Sequence, residues 1–323
     1  MITSTCTDLP FKKRPSETTM KAYVVIATKG RASLAFEVLT SLKGQTHAID
    51  HIVFVGSEPS DIAGLDTHPQ YSADSVSLIL SDAGSTKQRN AGLNLLSSVT
   101  RSQDPGNWFV GFFDDDFRLA PDWIFHCSEA FLSEPQLVGV GGTVLADGIT
   151  SHPISEAEAL DFIESRLPPL KHTWSGPRRN VPDLYGCNMA FRGTVASTDR
   201  FDPNLPFYGW LEDVDFSVRA SQRGALRHIP ECRGVHMGTS SGRTSGVRFG
   251  YSQVANPLYL IKKGSLPLKK GSRTLLRNML SNGKNSLFRN QSRDYTGRLK
   301  GNFMAIRDLC LGQCHPTNVI GIK

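Results

Sequence analysis

The sequence predicts an α/β fold: a mainly parallel central sheet flanked by helices, followed by a basic helical C-terminal extension. Three observations predict it. β-rich apolar runs alternate with helix-spaced segments through the first two thirds of the chain. Three consecutive aspartates, Asp114, Asp115 and Asp116, end one of these apolar runs. Positive charge is concentrated in the last quarter: residues 251–323 hold 13 Lys and Arg against Asp294 and Asp308, so a net +6 overall divides into +11 there and −5 before it. With 323 residues and 39% apolar content, the chain can bury one large core, or one core plus an appendage.

The elements follow in order. Ala22 to Ala27 (AYVVIA) is a short β-rich run, and Leu34, Val38 and Leu42 give Ala32 to Leu42 helical spacing. His51 to Val55 and Val76 to Leu80 are further strands, the second preceding a helix from Thr86 to Val99. Trp108 to Phe113 (WFVGFF) reads as a buried strand running into the aspartates. A helix from Pro121 to Leu132, with proline in its first turn, leads to the strand LVGVGGTVL. The segment 147–183 is richer in Pro, His and charge, with a helix over Ser155 to Arg166 and a long loop where Pro168, Pro169 and Pro177 surround Trp174. Long ordered loops usually serve a site. LYGCNMAF then reads as a strand, Glu212 to Arg223 as a helix closed by Gly224, and Cys232 to Met237 (CRGVHM) as a strand. In the tail, Arg273 to Phe288 places Leu275, Leu276, Met279, Leu280 and Leu287 on one helical stripe, weakened by Gly283 by roughly 1 kcal/mol relative to alanine.

No apolar stretch approaches the ~20 residues needed to span a bilayer, and the polar N-terminus lacks a secretory core. The expectation is a cytoplasmic protein, peripheral on the inner face of the cell membrane through its tail. Residues 1–20 are expected to be disordered, 21–245 to form the α/β domain and 246–323 the extension. The six cysteines (Cys6, Cys127, Cys187, Cys232, Cys310, Cys314) include no Cys-x-x-Cys pair, which fits reduced thiols. Cys310, Cys314 and His315 lie close in sequence but fall short of four zinc ligands.

The chemistry begins with the aspartates. In an extended segment Asp114 and Asp116 point to one side and Asp115 to the other, so the pair can clamp a divalent cation. A solvated acidic turn fits the same residues. Ligands of open α/β sheets bind outside the carboxyl ends of the strands, where these aspartates lie. Glu212, Asp213 and Asp215 form a second acidic group at a helix start, which the helix dipole favours whatever the function. The residues just before it, Phe207, Tyr208, Gly209 and Trp210, suit a ligand-facing loop. His236 is either an ordinary polar residue at a strand end or a third ligand beside two carboxylates.

The ordered set VVIATKGR, STKQRNAGL, FFDDDFRLAPDW, GCNMAFR, GWLEDVDFSVR and GVHM resembles the inverting glycosyltransferases of family 2, bacterial polysaccharide-synthesis type, over residues 21–238. The stretches RFGYSQVANPLYLIKKG and RLKGNFMAIRD resemble the C-terminal extensions of bacterial members. The resemblance implies a GT-A (nucleotide-diphospho-sugar transferase) fold and a metal-dependent, inverting transfer of a sugar from a nucleotide-diphosphate-sugar donor to a saccharide or lipid-linked acceptor. It implies Mn2+ or Mg2+ held by Asp114, Asp116 and His236, with Asp213 as general base. It places Thr28, Arg31, Lys87, Arg89, Asp114 and Asp115 at the nucleotide, and Asn188, Trp210 and Glu212 at the donor sugar or acceptor. The chain departs from the family at the end of the second strand, where members commonly carry a base-recognising Asp and this chain has Val55-Gly56-Ser57.

Other readings fit less well. A nucleotidyltransferase would want a Gly-rich loop after the first strand, where ATKGRASL has one glycine. An Asp-x-Asp phosphatase would carry its nucleophile after the first strand and Thr or Val where Arg118 stands. A non-catalytic carbohydrate-binding or scaffold relative predicts loss of at least one of Asp114, Asp116, Asp213 or His236, and all four are present. In the tail, residues 262–300 offer a partner surface for an anionic membrane, at roughly 1 kcal/mol per nearby charge, or a helix packed on the catalytic domain; both can hold. The tail carries no recognisable nucleic-acid motif, so no nucleic-acid partner is expected.

Overall fold

The computed structural model describes residues 19–150, 152–171, 174–239, 245–288 and 293–322. Of the expected disordered N-terminal segment only Thr19 and Met20 fall within that range, and Met20 is buried in the core. Residues 1–18, Cys6 included, lie outside it.

The chain order is β1 (Lys21–Ala27), α1 (Ala32–Lys43), β2 (His51–Gly56), β3 (Val76–Leu80), α2 (Ser85–Val99), β4 (Trp108–Asp114), β5 (Phe117–Leu119), α3 (Trp123–Ser133), β6 (Leu137–Asp147) and α4 (Glu156–Ile163). There follow β7 (Arg179–Asn180), β8 (Asn188–Arg192), α5 (Gly193–Ala196), α6 (Glu212–Ala220), β9 (Ala225–His236), α7 (Gly246–Lys263), α8 (Leu268–Leu287) and α9 (Tyr295–Cys310). One sheet runs β3-β2-β1-β4-β8-β6-β9-β5, with β7 added on β9. Its first four strands are parallel, as is the β6–β9 pair; β8 runs antiparallel between β4 and β6, and β5 and β7 pair antiparallel with β9.

Both faces are covered, so β1 and β4 carry apolar residues toward both sides and still sort by period two. From β1 and β4, Ala22, Val24, Ile26, Phe109 and Phe113 pack under α1 and α3, whereas Tyr23, Val25, Trp108, Val110 and Phe112 pack under α2 and α6. Helix α2 sits so close to β1 that a Cβ at Gly92 would lie 2.5 Å from Val25 Cγ1, which keeps a glycine there.

Several boundaries move from the sequence reading. Pro121 precedes α3 instead of occupying its first turn. The strand expected from Leu184 begins at Asn188, because Tyr185 and Asn188 close a turn. Helix α6 ends at Ala220, and Gly224 leads into β9, which is longer than the six-residue CRGVHM stretch. In the tail, the expected helix extends back to Leu268 and is joined by α7 and α9. The expected stripe on α8 is split: Leu275 and Met279 pack with Tyr251, Val254 and Ala305 of α7 and α9, while Leu276, Leu280 and Leu287 face outward. None of the described helices is long and apolar enough to cross a membrane.

Candidate metal centre and active-site cleft

Strand pairing builds the centre. β5 turns back from the aspartates and pairs with β9 so that Phe117 stands opposite His236, and β6 pairs with β9 so that Asp147 stands beside His236. His236 Nε2 therefore lies 3.4 Å from Asp116 Oδ1 and 3.8 Å from Asp114 Oδ2, with Nδ1 3.1 Å from Asp147 Oδ1. One ligand atom each from Asp114, Asp116 and His236 fits within 4.8 Å of the others. Asp116 Oδ2 accepts from the Thr239 amide (2.9 Å) and hydroxyl (3.0 Å), while its Oδ1 is buried without a hydrogen-bond partner. Burial opposes the charge on both groups, yet each stabilises the other: the His236 imidazole is held well above its ordinary value by Cys187 and Asp116, and Asp116 well below the usual carboxylate range by His236 and Arg31.

Two carboxylates and an imidazole, with an orphaned carboxylate oxygen aimed among them and Asp147 behind the histidine, fit a divalent cation. Asp147 was not anticipated from the sequence. Its signal was the one that marked Asp114, a carboxylate closing an apolar strand, and the Tyr185 hydroxyl donates to its Oδ2 at 3.0 Å. Among the described residues no other group of His, Cys, Asp and Glu gathers this way, Cys310, Cys314 and His315 included.

Thr28, Arg31 and Asp115, expected at the nucleotide, form one cluster. The Thr28 hydroxyl donates to Asp115 Oδ2 (2.7 Å), and Arg31 Nη1 donates to Oδ1 (2.8 Å) and lies 3.5 Å from Asp116 Oδ2. Asp115 is buried, and burial pushes its carboxyl up in spite of Arg31. Asp115 thus faces Thr28 and Arg31 at the end of β1. Lys87 is at the surface, paired with exposed Asp82 at 2.9 Å.

The end of β2 is not without a carboxylate. Asp61, in a short 3-10 turn (Pro59–Asp61), folds back so that Oδ2 accepts from the Ser57 amide (2.8 Å) and hydroxyl (2.8 Å) and the Glu58 amide (3.0 Å). Its Oδ1 accepts from the Gly30 amide at 2.7 Å, tying the loop after β1 to β2. Residues 55–57 do not reveal it, because the turn returns the carboxylate from further along the chain.

Helix α6 begins after a loop in which Phe207 (φ 56°), Gly209 (φ 64°) and Leu211 (φ 73°) are all left-handed. Such conformations are costly for non-glycine residues and gather at functional sites. Asp213 Oδ2 accepts from the Gly186 amide (2.9 Å) and Oδ1 from the Val214 amide (2.8 Å). A Cβ at Gly186 would lie 3.2 Å from Asp213 Oδ2, so glycine permits the approach. Burial pushes the Asp213 carboxyl up, although those amides oppose the shift.

Arg89 is placed differently from the expected nucleotide contact. It is buried, with Nη1 bonded to Glu212 Oε1 and Nη2 bonded to Asp114 Oδ1 (3.1 Å) and Gly186 O (3.0 Å). It therefore links Asp114 to Gly186 and to the helix that carries Asp213. Glu212 is buried in this contact; burial and Asp213 push its carboxyl up against the pull of Arg89. Asn188 is fully buried and accepts from Trp123 Nε1 at 2.8 Å, which braces α3 on the sheet and leaves no surface for a sugar. Trp210 is half-buried, its carbonyl accepting from Asn256 Nδ2 of α7 (2.8 Å).

No family model matches the chain, and no curated protein is similar to it in sequence. Among solved structures it is similar to residues 1–349 of S. aureus TarS (TM-score 0.51, 15% identity, 85% of this chain and 76% of that one). It is also similar to the same fragment in complex with UDP (TM-score 0.50, 15% identity, 75% and 66%). The fold is GT-A-like. A mannosyltransferase, PcManGT from Pyrobaculum calidifontis in complex with GDP-Man and Mn2+, aligns at TM-score 0.49 and 16% identity over 94% of this chain and 84% of that one. On the GT-A-like frame, Asp114, Asp116 and His236 lie at the carboxyl ends of β4 and β9, with Asp213 at the start of α6.

Proposed function

We propose that the protein is a metal-dependent, inverting glycosyltransferase of the family 2 kind. It moves a hexosyl or deoxyhexosyl group from a nucleotide-diphosphate donor to a saccharide or lipid-linked saccharide acceptor in bacterial polysaccharide synthesis. The observation that carries this reading is the Asp114–Asp116–His236 group, joined through Arg89 to the helix that presents Asp213.

When bound, Mn2+ or Mg2+ supplies positive charge where the diphosphate leaves. Asp114, Asp116 and His236 would hold it, with Asp147 fixing the imidazole. Thr28, Arg31 and Asp115 line the nucleotide side, where the guanidinium can meet a phosphate or ribose oxygen. Asp213 takes the proton from the acceptor hydroxyl as that oxygen attacks the anomeric carbon from the opposite face, so configuration inverts. Its raised carboxyl makes it a better base than an ordinary aspartate, and the Gly186 amide fixes its direction.

A thermal-shift panel of nucleoside diphosphates, with and without MnCl2, tests the reading. A ligand that binds only the native state raises its apparent stability. At least one nucleotide should shift the melting temperature upward only when Mn2+ is present, and Asp116→Asn should remove that shift. A shift that survives Asp116→Asn would count against the assigned ligands.

The outward face of α8 supports placement on an anionic membrane. Leu276, Leu280 and Leu287 are 58%, 64% and 79% exposed, opposite the packed face, with Arg273, Arg277 and Lys284 beside them and no acidic residue in the helix. Apolar insertion and cationic attraction then act together. The double variant Leu276→Asp/Leu280→Asp should weaken binding to phosphatidylglycerol-containing vesicles by roughly tenfold or more, about 1.4 kcal/mol per factor of ten. Equal binding by the variant and the parent chain would rule this face out.

A further inference from the structure

The turn ahead of β8 touches both halves of the site. Its backbone meets α6 and Arg89: the Leu184 amide donates to Ser217 Oγ (3.0 Å), the Gly186 amide donates to Asp213 Oδ2 (2.9 Å), and the Gly186 carbonyl accepts from Arg89 Nη2 (3.0 Å). Its aromatic side chain meets the metal side. The Tyr185 hydroxyl donates to Asp147 Oδ2 (3.0 Å), and Asp147 Oδ1 lies 3.1 Å from His236 Nδ1. Adjacent residues, Tyr185 and Gly186, thus reach the metal centre through a phenol and the helix of Asp213 through a peptide group.

The phenol is held in place by its ring and its backbone. The Tyr185 ring lies parallel to that of Trp174 (5°, 6.1 Å between centroids) and edge-on to the His236 imidazole (81°, 6.0 Å). Trp174 comes from the proline-flanked loop, and its carbonyl accepts from the Val144 amide of β6 (2.8 Å). The Asn188 amide donates to the Tyr185 carbonyl (2.9 Å) and closes the turn, while Asn188 Oδ1 is fixed by Trp123 Nε1 (2.8 Å). The hydroxyl is therefore aimed by the fold before any cation arrives.

An imidazole presents one nitrogen to a cation in a fixed direction only when its other nitrogen is held, and the group that holds it needs fixing in turn. Asp147 meets His236 with one oxygen and Tyr185 with the other, so the hydroxyl sets the rotation of the carboxylate. We propose that Tyr185 is a positioning residue: through Asp147 it aims His236 Nε2 at the cation site shared with Asp114 and Asp116, and through the turn it ties that site to Asp213. This rests on the metal-site part of the sugar-transfer reading and adds to it that cation binding and the placing of the base are linked.

The test is titration of the full chain with Mn2+ alone, the free ion being followed by electron paramagnetic resonance. Tyr185→Phe keeps both ring contacts and removes only the hydroxyl; it should weaken Mn2+ binding about tenfold, the lower end of the effect of removing such an outer partner. Asp147→Asn should weaken it at least as much, and the double variant should be no weaker than Asp147→Asn, because the hydroxyl acts through that carboxylate. Tyr251→Phe removes the hydroxyl bonded to Asp308 (2.8 Å) in the extension and should leave Mn2+ binding unchanged, which separates positioning from the general cost of a lost phenol. Hydrogen exchange over residues 184–188 should slow when Mn2+ is added to the parent chain, and not in Tyr185→Phe. Parent affinity in Tyr185→Phe, additive losses in the double variant, or equal slowing in both chains would overturn the proposal. A parent chain that takes up no Mn2+ would overturn the metal reading along with it, whereas binding weakened in the variants upholds the role of Tyr185 even where no sugar is transferred.

Discussion

Asp213→Asn is expected to reduce sugar transfer by about two to four orders of magnitude, the range in which a positioned general base contributes. The amide keeps the size of the side chain, and its oxygen can still accept from the Gly186 amide, so the start of α6 should hold its place. Asp114, Asp116 and His236 are untouched, and Mn2+-dependent nucleotide binding should survive. That split between intact binding and lost turnover separates a base from a structural acid. Burial pushes the Asp213 carboxyl up, and the base must be ionised to act. Transfer by the parent chain should therefore fall away as pH drops through a value above the ~3.9 of an ordinary aspartate. Transfer by the Asn variant at the parent rate would remove Asp213 from the mechanism.

Arg89→Met should cost about 3–5 kcal/mol of folding stability, the range seen when one partner of a buried ion pair is removed. Methionine fills much of the space but leaves the buried Glu212 carboxylate, and Asp114 beyond it, without their guanidinium. The variant also has a pH signature. With Arg89 gone, Glu212 is raised further above its unfolded value near 4.3, so the native state binds more protons than the unfolded chain over that interval. Stability is then retained at low pH and lost as pH rises, and the deficit should be smaller at about pH 5 than at about pH 8. Urea unfolding at the two pH values measures both effects. A loss below about 1 kcal/mol at both would show that Arg89 does not hold the two sides of the cleft together.

Asp215, the third acid of that motif, has a different task. It is fully buried, bonded to Ser265 (2.6 Å), Lys263 (2.8 Å) and Arg219 (3.1 Å), and so ties α6 to the end of α7. One nine-residue helix thus carries Asp213, bonded to the Gly186 amide, and anchors the extension. From the sequence alone Glu212, Asp213 and Asp215 look alike, because the helix dipole favours all three; their separate partners come from segments up to 123 residues away.

Short-range chemistry is legible in the chain without its neighbours. The apolar periods locate β1 to β4 and α1 to α2 within a residue or two, and the acids closing an apolar strand mark where a cation can sit. The alternation of elements implies the sheet, and the leucine spacing implies a tail helix. Tertiary structure decided which carboxylates meet. The register of β9 with β5 and β6 brings His236 to Asp116 and Asp147, and no local pattern carries that register. The same long-range packing buries Asn188, turns Arg89 from a ligand contact into a bridge, and returns Asp61 to the end of β2. It also sends Leu275 inward and Leu276 outward on one helix. Periodicity records which face of an element is apolar, whereas the neighbour that covers that face, or leaves it open, is set by pairings between residues far apart in the chain.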